Sequence, residues 1–322
     1  EKYYQYRVSI RPENMVVGTN YIVDKRVAKD VKLANGLKED VTWYQFKIPI
    51  REYDHKVGNI NDFSSIRFMR TFMTGFGEAT VLRFGKFALV RGEWRPYQQP
   101  LYQSDAIPSV TGTLSVSTVN IEENGDREPI NYKLPPDVTR ITDPSQPQLR
   151  QQNEQSLSLK ITDLASQDAR AVYKTTSYDL RRYKRMQLYV HAEKFVDDVT
   201  NMQDRDLSVF MRLGTDYKNN YYEYEVPLIL TPLDNRSPDR SVIWPTDNKL
   251  NFRLDVLTDL KLSRNRDKSN AESGVSYNTV YTKNDPDNNL NTISIVGNPT
   301  LSDVQVIMIG VRNNSNNIKS AE

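Results

Sequence analysis

The sequence predicts a mostly β protein with two jelly-roll-like antiparallel β-sandwich units, complete or incomplete, and a few short helices. Three observations predict this class. Polar and apolar residues alternate along several segments, which is typical of antiparallel strands with one solvated face. The 322 residues include 19 tyrosines and 10 phenylalanines, and aromatic residues favour strands. Helix signals are few.

Strand patterns begin early in the first half. Residues 3–10 (YYQYRVSI) and 42–50 (TWYQFKIPI) each place aromatic and aliphatic side chains on one face. Residues 62–76 (DFSSIRFMRTFMTGF) are apolar at both helical and strand spacing, so their periodicity alone does not decide between the two. A further strand is predicted within residues 79–94 (ATVLRFGKFALVRGEW).

The second half gives clearer patterns. Residues 185–193 (RMQLYVHAE) alternate, with Met186 and Leu188 predicted to face inward. Residues 207–213 and 220–228 form a predicted hairpin, because the loop between them contains turn-forming residues. Residues 256–262 (VLTDLKL) form a short predicted helix that Asp255 would cap.

Five prolines between residues 128 and 147 mark a boundary, because proline at this density does not fit inside a sheet. We therefore predict a first β-sandwich unit at 1–127, a Pro-rich connection at 128–155 and a second unit at 156–322. The second unit carries a long insertion at about 229–300.

An internal repeat supports this division. Residues 43–50 (WYQFKIPI) resemble residues 221–228 (YYEYEVPL), and residues 63–76 resemble residues 301–313. Since the second copy is rich in β-branched residues, we predict by analogy that residues 62–76 form a strand buried on both faces. The alternative is that short strands resemble one another by chance.

Charge and motif content narrow the function. There are 43 basic and 41 acidic residues, so the strong positive charge of many nucleic-acid-binding proteins is absent. The sequence has no cysteine, no phosphate-binding glycine loop and no hydrolase motif. We therefore predict that the protein is not an enzyme and has no catalytic residue and no cofactor.

Two histidines and one acidic loop are the weak candidates for a metal site. His191 falls on the polar face of a predicted strand and His55 in a predicted turn, so both are interpreted as solvated or hydrogen-bonded surface histidines. Asp285, Asp287 and Asn289 alternate and could supply oxygen ligands for calcium. The loop lacks the glycine and glutamate of an EF-hand, which favours an ordinary turn.

A basic aromatic patch surrounds RGEWRPY and is the main candidate for binding. It comprises Arg83, Arg91, Arg95, Trp94 and Tyr97. Arginine beside aromatic rings can bind sugars, anions or a protein partner, and the alternative is an arginine ladder on an exposed strand. Two further tryptophans, Trp43 and Trp244, are either sugar platforms or core anchors.

Several long phrases resemble the SprA/Sov family of gliding-motility and secretion proteins. They are RFMRTFMTGF with ATVLRFGKFALVRGEWRPY, LASQDARAVYKTTSYDLRRYKRMQLYVHAE, VIWPTDNKLNFRLDVLTDLKL and ISIVGNPTLSDVQVIMIGVRN. The resemblance runs from about residue 43 to residue 322. It implies a segment of the outer-membrane translocon of the type IX secretion system, a giant single-chain β-barrel of Bacteroidota.

The same resemblance implies partners and a location. The expected partners are the rest of the barrel, a smaller PorV-type barrel subunit, a plug protein and exported cargo. We expect a structural segment at the extracellular face of the outer membrane, in the cap or pore wall, with the periplasmic face as the alternative. A surface glycan-binding β-sandwich protein that uses Trp43, Trp94 or Trp244 is the other candidate function.

Overall fold

The computed structural model describes most of the chain, in two compact units. The described residues are 2–33, 35–63, 66–87, 89, 93–97, 99, 101, 112–140, 142, 151, 154–233 and 239–322. The units span residues 1–88 and 89–322, and each is described by itself. The boundaries predicted from the sequence remain a prediction.

The first unit contains two small antiparallel sheets. Its strands are β1 (Tyr3–Gln5), β2 (Ile22–Lys32), β3 (Lys38–Phe46) and β4 (His55–Val57), and a 3₁₀ turn lies at Pro12–Asn14. β1 pairs with β4, and β2 pairs with β3 in a hairpin. Among the described residues of this unit, Ile22 is the only fully buried hydrophobic side chain.

The second unit holds the remaining elements. Its strands are β5 (Arg95–Pro96), β6 (Thr113–Asn120), β7 (Gln155–Leu164), β8 (Ala169–Tyr178), β9 (Arg185–Leu188), β10 (Leu207–Gly214), β11 (Tyr221–Pro227), β12 (Leu250–Arg253), β13 (Tyr281–Asn284), β14 (Thr292–Val296), β15 (Val304–Asn313) and β16 (Lys319–Ala321). Its helices are α1 (Ile121–Asn124), α2 (Arg240–Ile243) and α3 (Asp255–Lys268), with 3₁₀ turns at Thr246–Asn248 and Ala271–Ser273.

A seven-stranded antiparallel sheet organises the second unit. Its order is β13-β14-β11-β10-β15-β8-β5. Every residue of β10 is buried, because the strand lies in the middle of the sheet and both faces are covered. The other described strands of the second unit form two smaller sheets, β16-β7-β6 and β12-β9.

The main core lies on one face of the seven-stranded sheet. Val209, Met211 and Leu213 alternate along β10 and belong to this core. Helix α3 packs against it through Leu257 and Leu260, which lie three residues apart and so share a helix face. Burial of these side chains is the main force that holds the sheets and helix together.

The prediction of a mostly β, antiparallel protein with few helices is confirmed. The predicted hairpin at 207–213 and 220–228 is confirmed as β10–β11. The jelly-roll arrangement is not confirmed, because the strands separate into sheets of seven, three and two strands. None of the helices among the described residues is long and apolar enough to cross a membrane.

One strand prediction in the first unit is wrong. The described part of residues 62–76 forms no strand, and Phe68 and Phe72 are 65% and 66% exposed. Residues 79–87 of the following predicted strand also have no regular structure. The alternation in these segments is therefore not matched by pairing or burial.

Candidate functional site

Three residues of the predicted basic aromatic patch, Trp94, Arg95 and Tyr97, lie at one edge of the seven-stranded sheet. Arg95 and Pro96 form β5, which pairs with β8 through Arg95 and Tyr173. Trp94 packs partly buried against the main core, and Lys174 Nζ lies 5.2 Å from its ring centroid. Tyr97 is buried at 8% exposure, because it turns inward directly after the short strand.

Arg95 of this patch borders an open cleft of about 570 Å³. The cleft is lined by Arg95, Tyr173, Thr175, the loop residues 215–219 and Val306. Cationic, hydroxyl and aromatic groups therefore share one surface, which we call the β5 cleft.

Tyr173 and Tyr217 line the β5 cleft, and the buried Tyr97 ring packs against both of them. The ring centroids of Tyr97 and Tyr217 are 4.8 Å apart, and those of Tyr173 and Tyr217 are 5.1 Å apart. Edge-to-face and tilted contacts of this kind stabilise an aromatic cluster beyond the area that it buries. Burial raises the pKa of the Tyr97 hydroxyl above its ordinary value.

The loop between β10 and β11 is fixed by Asp216. Its carboxylate accepts hydrogen bonds from the backbone N–H of Lys218 at 2.8 Å and of Asn219 at 2.5 Å. Partial burial raises the pKa of Asp216, but the hydrogen bonds from Asn219 and Lys218 outweigh it and hold the pKa below its usual range. The loop thus presents Tyr217 from a rigid turn.

A buried ion network lies in the sheet next to this loop. Arg212 Nε donates to Glu223 Oε2 at 2.5 Å, and Arg312 Nη2 donates to Glu223 Oε1 at 3.1 Å. Arg312 also pairs with Glu225. Arg212 Nη1 donates to the backbone carbonyl of Tyr217 at 2.8 Å, which joins the network to the loop of the β5 cleft.

Charge pairing in the network outweighs the cost of burial. Burial raises the pKa of Glu223, but Arg312 and Arg212 together hold it below its usual range. Burial lowers the pKa of Arg212, but Glu223, Tyr221 and Tyr97 together raise it above its usual value. Glu223 and Arg212 therefore stay ionised, and the network links three neighbouring strands, β10, β11 and β15.

Sequence analysis missed the members of this network. One sequence pattern could have indicated them. Charged residues recur at regular positions inside otherwise aromatic or aliphatic strands, as in YYEYEVP. Arg212, Glu223 and Arg312 are spread over more than 100 positions, so only strand pairing brings them together.

His191 is partly buried, and hydrogen bonds hold its side chain. Its Nδ1 lies 2.8 Å from the carbonyl oxygen of Ile243 and its Nε2 lies 3.0 Å from Glu193 Oε2. Burial raises the pKa of Glu193, but His191 and Arg127 lower it below its usual range. The predicted polar face of residues 185–193 is not solvated at His191, because a second hydrophobic cluster around Trp244 covers it there.

Trp244 is a core anchor rather than a sugar platform. It is 6% exposed, its Nε1 donates to the carbonyl oxygen of Lys133 at 2.8 Å, and Tyr132 packs edge-on against it. Trp43 in β3 is 40% exposed, so its ring is available on the first unit.

The other candidates are dispersed. His55 lies in β4 and not in a turn, and it is exposed. Arg83 is an exposed residue of the first unit, and Arg91 lies outside the described residues.

The acidic loop is an ordinary turn in its contacts. Asp285 is buried and its Oδ2 accepts a hydrogen bond from the Tyr224 hydroxyl at 2.5 Å. Its Oδ1 accepts from the backbone N–H of Asp287, whereas the Asp287 and Asn289 side chains are exposed. Across the part of the chain that the structure describes, no group of three or more acidic or histidine side chains is placed to hold a metal ion.

Comparison with known proteins gives the family. The family model SprA_N, described as a motility related/secretion protein, matches residues 1–322. No curated protein sequence matches the chain. Because the match covers the whole sequence, the chain belongs to the SprA_N family of motility related/secretion proteins.

Proposed function

We propose that this chain is a non-catalytic structural segment of the type IX secretion outer-membrane translocon, and that it forms part of the extracellular cap or pore wall that shapes the cargo exit path. The observation that carries the proposal is the match of the entire chain to a motility and secretion family. The resemblance of long phrases to the SprA/Sov family supplies the finer assignment.

The architecture suits a rigid wall element. The seven-stranded sheet is held by hydrophobic burial on one face and by the Arg212–Glu223–Arg312 network on the other. A wall that guides a passing polypeptide has to keep its shape, and a buried network of paired charges that links three strands favours one arrangement of those strands.

The β5 cleft suits contact with another protein. Arginine and tyrosine are enriched in the energetically important parts of protein interfaces, and Arg95, Tyr173 and Tyr217 line this surface. The proposed partners are the rest of the barrel, a PorV-type subunit, a plug protein and exported cargo.

Surface proteolysis of intact cells tests the location. Cells that make the parent protein are treated with trypsin, and the released peptides are identified by mass spectrometry before and after the outer membrane is opened. The exposed Arg266 and Lys268 at the end of α3 are the informative cleavage sites. A strain with Arg266→Gln and Lys268→Gln is the matched control, since its peptides at this position should disappear.

The outcomes separate the alternatives. Release of these peptides from intact cells is the expected result for the extracellular cap. Release only after opening places the segment at the periplasmic face or inside the pore, and the cap assignment is then wrong. Recovery of the chain free in the medium, together with binding to glycans, would favour a surface glycan-binding protein instead.

A further inference from the structure

The sequence contains the dipeptide Asn-Gly twice, at Asn35–Gly36 and at Asn124–Gly125. An asparagine before glycine is especially reactive, because glycine has no side chain to hinder attack by its own backbone nitrogen. Glycine also reaches the backbone conformations that such a ring closure needs. The dipeptides are identical, so the fold around each one decides how fast it reacts.

Asn35 lies at the exposed tip of the β2–β3 hairpin. The Leu33 backbone N–H donates to the carbonyl oxygen of Leu37 at 2.8 Å and closes the loop. Gly36 has a φ of 85°, in the left-handed region, and Asn35, Gly36 and Leu37 are all exposed. A Cβ atom built on Gly36 would meet nothing within 4 Å. The loop tip therefore has open space in which its side chain and main chain can rearrange.

Two hydrogen bonds hold the loop tip, and both have to break before the dipeptide reacts. The Gly36 N–H donates to the carbonyl oxygen of Leu33 at 2.9 Å, and Asn35 Oδ1 accepts from the Leu37 N–H at 3.0 Å. Both bonds lie at the tip of a two-stranded sheet, where local opening costs little free energy. Water can replace both partners when the tip opens.

The second dipeptide is held by the fold. Asn124 is the last residue of α1 and is 8% exposed. Its Oδ1 accepts from the Asn120 N–H at 3.0 Å, and its carbonyl oxygen accepts from the Tyr132 N–H at 2.9 Å. The Gly125 N–H, which would be the attacking group, donates to the carbonyl oxygen of Ile121 at 3.1 Å. Reaction here requires the end of α1 to unfold.

Positive charge at the hairpin tip favours reaction there. Lys32 and Lys38 are direct partners across the strands that enter and leave the loop, and both are exposed. Nearby positive charge stabilises the anion that forms when the attacking nitrogen loses its proton. Exposure, backbone conformation and charge therefore all favour the first dipeptide.

We propose that Asn35 is a site of spontaneous deamidation and that the fold protects Asn124. The Gly36 nitrogen loses its proton to hydroxide and attacks Cγ of Asn35. The N–Cγ bond forms, the Cγ–Nδ2 bond breaks, and ammonia leaves with a proton taken from water, so a succinimide ring remains. Water then opens the ring. Cleavage of the N–Cγ bond gives aspartate, and cleavage between the same nitrogen and the main-chain carbonyl carbon of residue 35 gives isoaspartate.

Both products change the hairpin tip. Each adds one negative charge near the Lys32–Lys38 pair, where two like charges face each other across the strands. Isoaspartate also adds one carbon to the backbone of the loop, and loop length sets the register in which β2 pairs with β3. This inference concerns the first unit and is independent of the proposed role in secretion.

Incubation of the complete chain in mildly alkaline buffer, followed by peptide mass spectrometry, tests the proposal. Trypsin separates the two sites, because it cleaves after Lys32 and Lys38 around the first and after Arg127 beyond the second. The acid products at Asn35 should accumulate on the order of 10-fold or more faster than those at Asn124, because opening a loop tip costs less free energy than unfolding a helix end. Equal rates, or faster reaction at Asn124, would overturn the proposal.

The same incubation in concentrated urea shows whether the fold causes the difference. The rate at Asn124 should rise toward the rate at Asn35, since both are followed by glycine and neither is held by hydrogen bonds in the unfolded chain. A ratio of rates that is as large in urea as in the native protein would show that local sequence sets it. The proposed protection of Asn124 by the fold would then be wrong.

Asn35→Gln is the matched control for the route. Glutamine needs a larger ring for the same attack and therefore reacts much more slowly. The acid products should disappear from the peptide 33–38 of this variant and form at the unchanged rate at Asn124. Undiminished conversion at position 35 would contradict attack by the Gly36 nitrogen. In the unsubstituted chain, isoaspartate has to appear among the products, and aspartate alone would contradict the succinimide.

Discussion

The ring of Phe210 fills the space in which any residue other than glycine at position 310 would place its Cβ. Phe210 in β10 and Gly310 in β15 are direct partners across the strands. An added Cβ at 310 would lie 2.7 Å from Cε1 of Phe210 and 2.8 Å from the Cβ of Ala171. Gly310 therefore allows a buried aromatic ring to cover the centre of the seven-stranded sheet.

We expect Gly310→Ala to destabilise the second unit by about 1–3 kcal/mol, the usual cost of overpacking a filled core. The fully buried Phe210 ring and Ala171 leave little room for the methyl group. Urea unfolding measures the change. Gly77→Ala is the control, since a Cβ at Gly77 would meet nothing within 4 Å. An unchanged midpoint for Gly310→Ala would contradict the packing.

Removing the central carboxylate of the ion network should be more damaging. Glu223→Gln leaves Arg212 without its buried counter-charge, and breaking a buried pair costs about 3–5 kcal/mol. Thermal unfolding at neutral pH measures this loss. Glu272→Gln, at an exposed site, should have no comparable effect.

The same network predicts a pH dependence. Because Arg312 and Arg212 hold the pKa of Glu223 below its usual range in the folded protein, its contribution to stability is complete above the unfolded pKa of about 4.3. The contribution is lost as pH falls through the lower folded pKa. We expect Glu223→Gln to flatten the acid limb of the stability curve below pH about 4. An identical acid limb in both proteins would show that Glu223 is not ionised in the fold.

The sequence predicts secondary structure best where each face of a strand has a single environment along its whole length. The β10–β11 hairpin was found because alternation and turn residues agree there. The prediction for residues 185–193 is correct in part. Met186 and Leu188 face the main core as expected, but the His191 ring lies beside Trp244, and Glu193 is buried and pairs with His191 and Arg127.

The candidate site was predicted in part. RGEWRPY was identified as basic and aromatic, and β5 does bring Arg95 to the cleft, whereas Trp94 packs against the main core. Tyr173 and Tyr217 could not be assigned to the same surface, because strand pairing and a loop conformation bring them there. Long-range pairing of this kind leaves no local sequence pattern.

Alkaline titration tests the burial of Tyr222. Burial raises the pKa of its hydroxyl from 10.0 to about 12, although the nearby charge of Arg264 acts against this rise. The raised folded pKa means that stability is complete below the unfolded value and is lost between pH about 10 and 12. Tyr222→Phe should therefore weaken the alkaline loss of stability in this window.

At neutral pH the same variant should lose about 1 kcal/mol, since the hydroxyl donates to the carbonyl oxygen of Pro299 at 3.1 Å. Absorbance at alkaline pH and urea unfolding measure the two effects. Tyr183→Phe is the matched control, because Tyr183 is 64% exposed. Its loss should change neither the alkaline loss of stability nor the stability at neutral pH. Equal behaviour of the two variants would place Tyr222 in solvent.

Trp244 distinguishes structural packing from sugar binding. The indole is buried among Tyr132, Tyr189 and Ile243 and donates one hydrogen bond, so Trp244→Ala should destabilise the protein by about 3–5 kcal/mol. Trp244→Phe keeps most of the packing and should lose only about 1 kcal/mol with the bond to Lys133.

Trp43→Phe, at an exposed position, is the matched control and should be close to neutral. Chemical unfolding measures all three, and tryptophan fluorescence with added oligosaccharides provides the functional comparison. A folded Trp244→Ala protein of normal stability that no longer binds a sugar bound by the wild type would show that this residue is a binding platform after all.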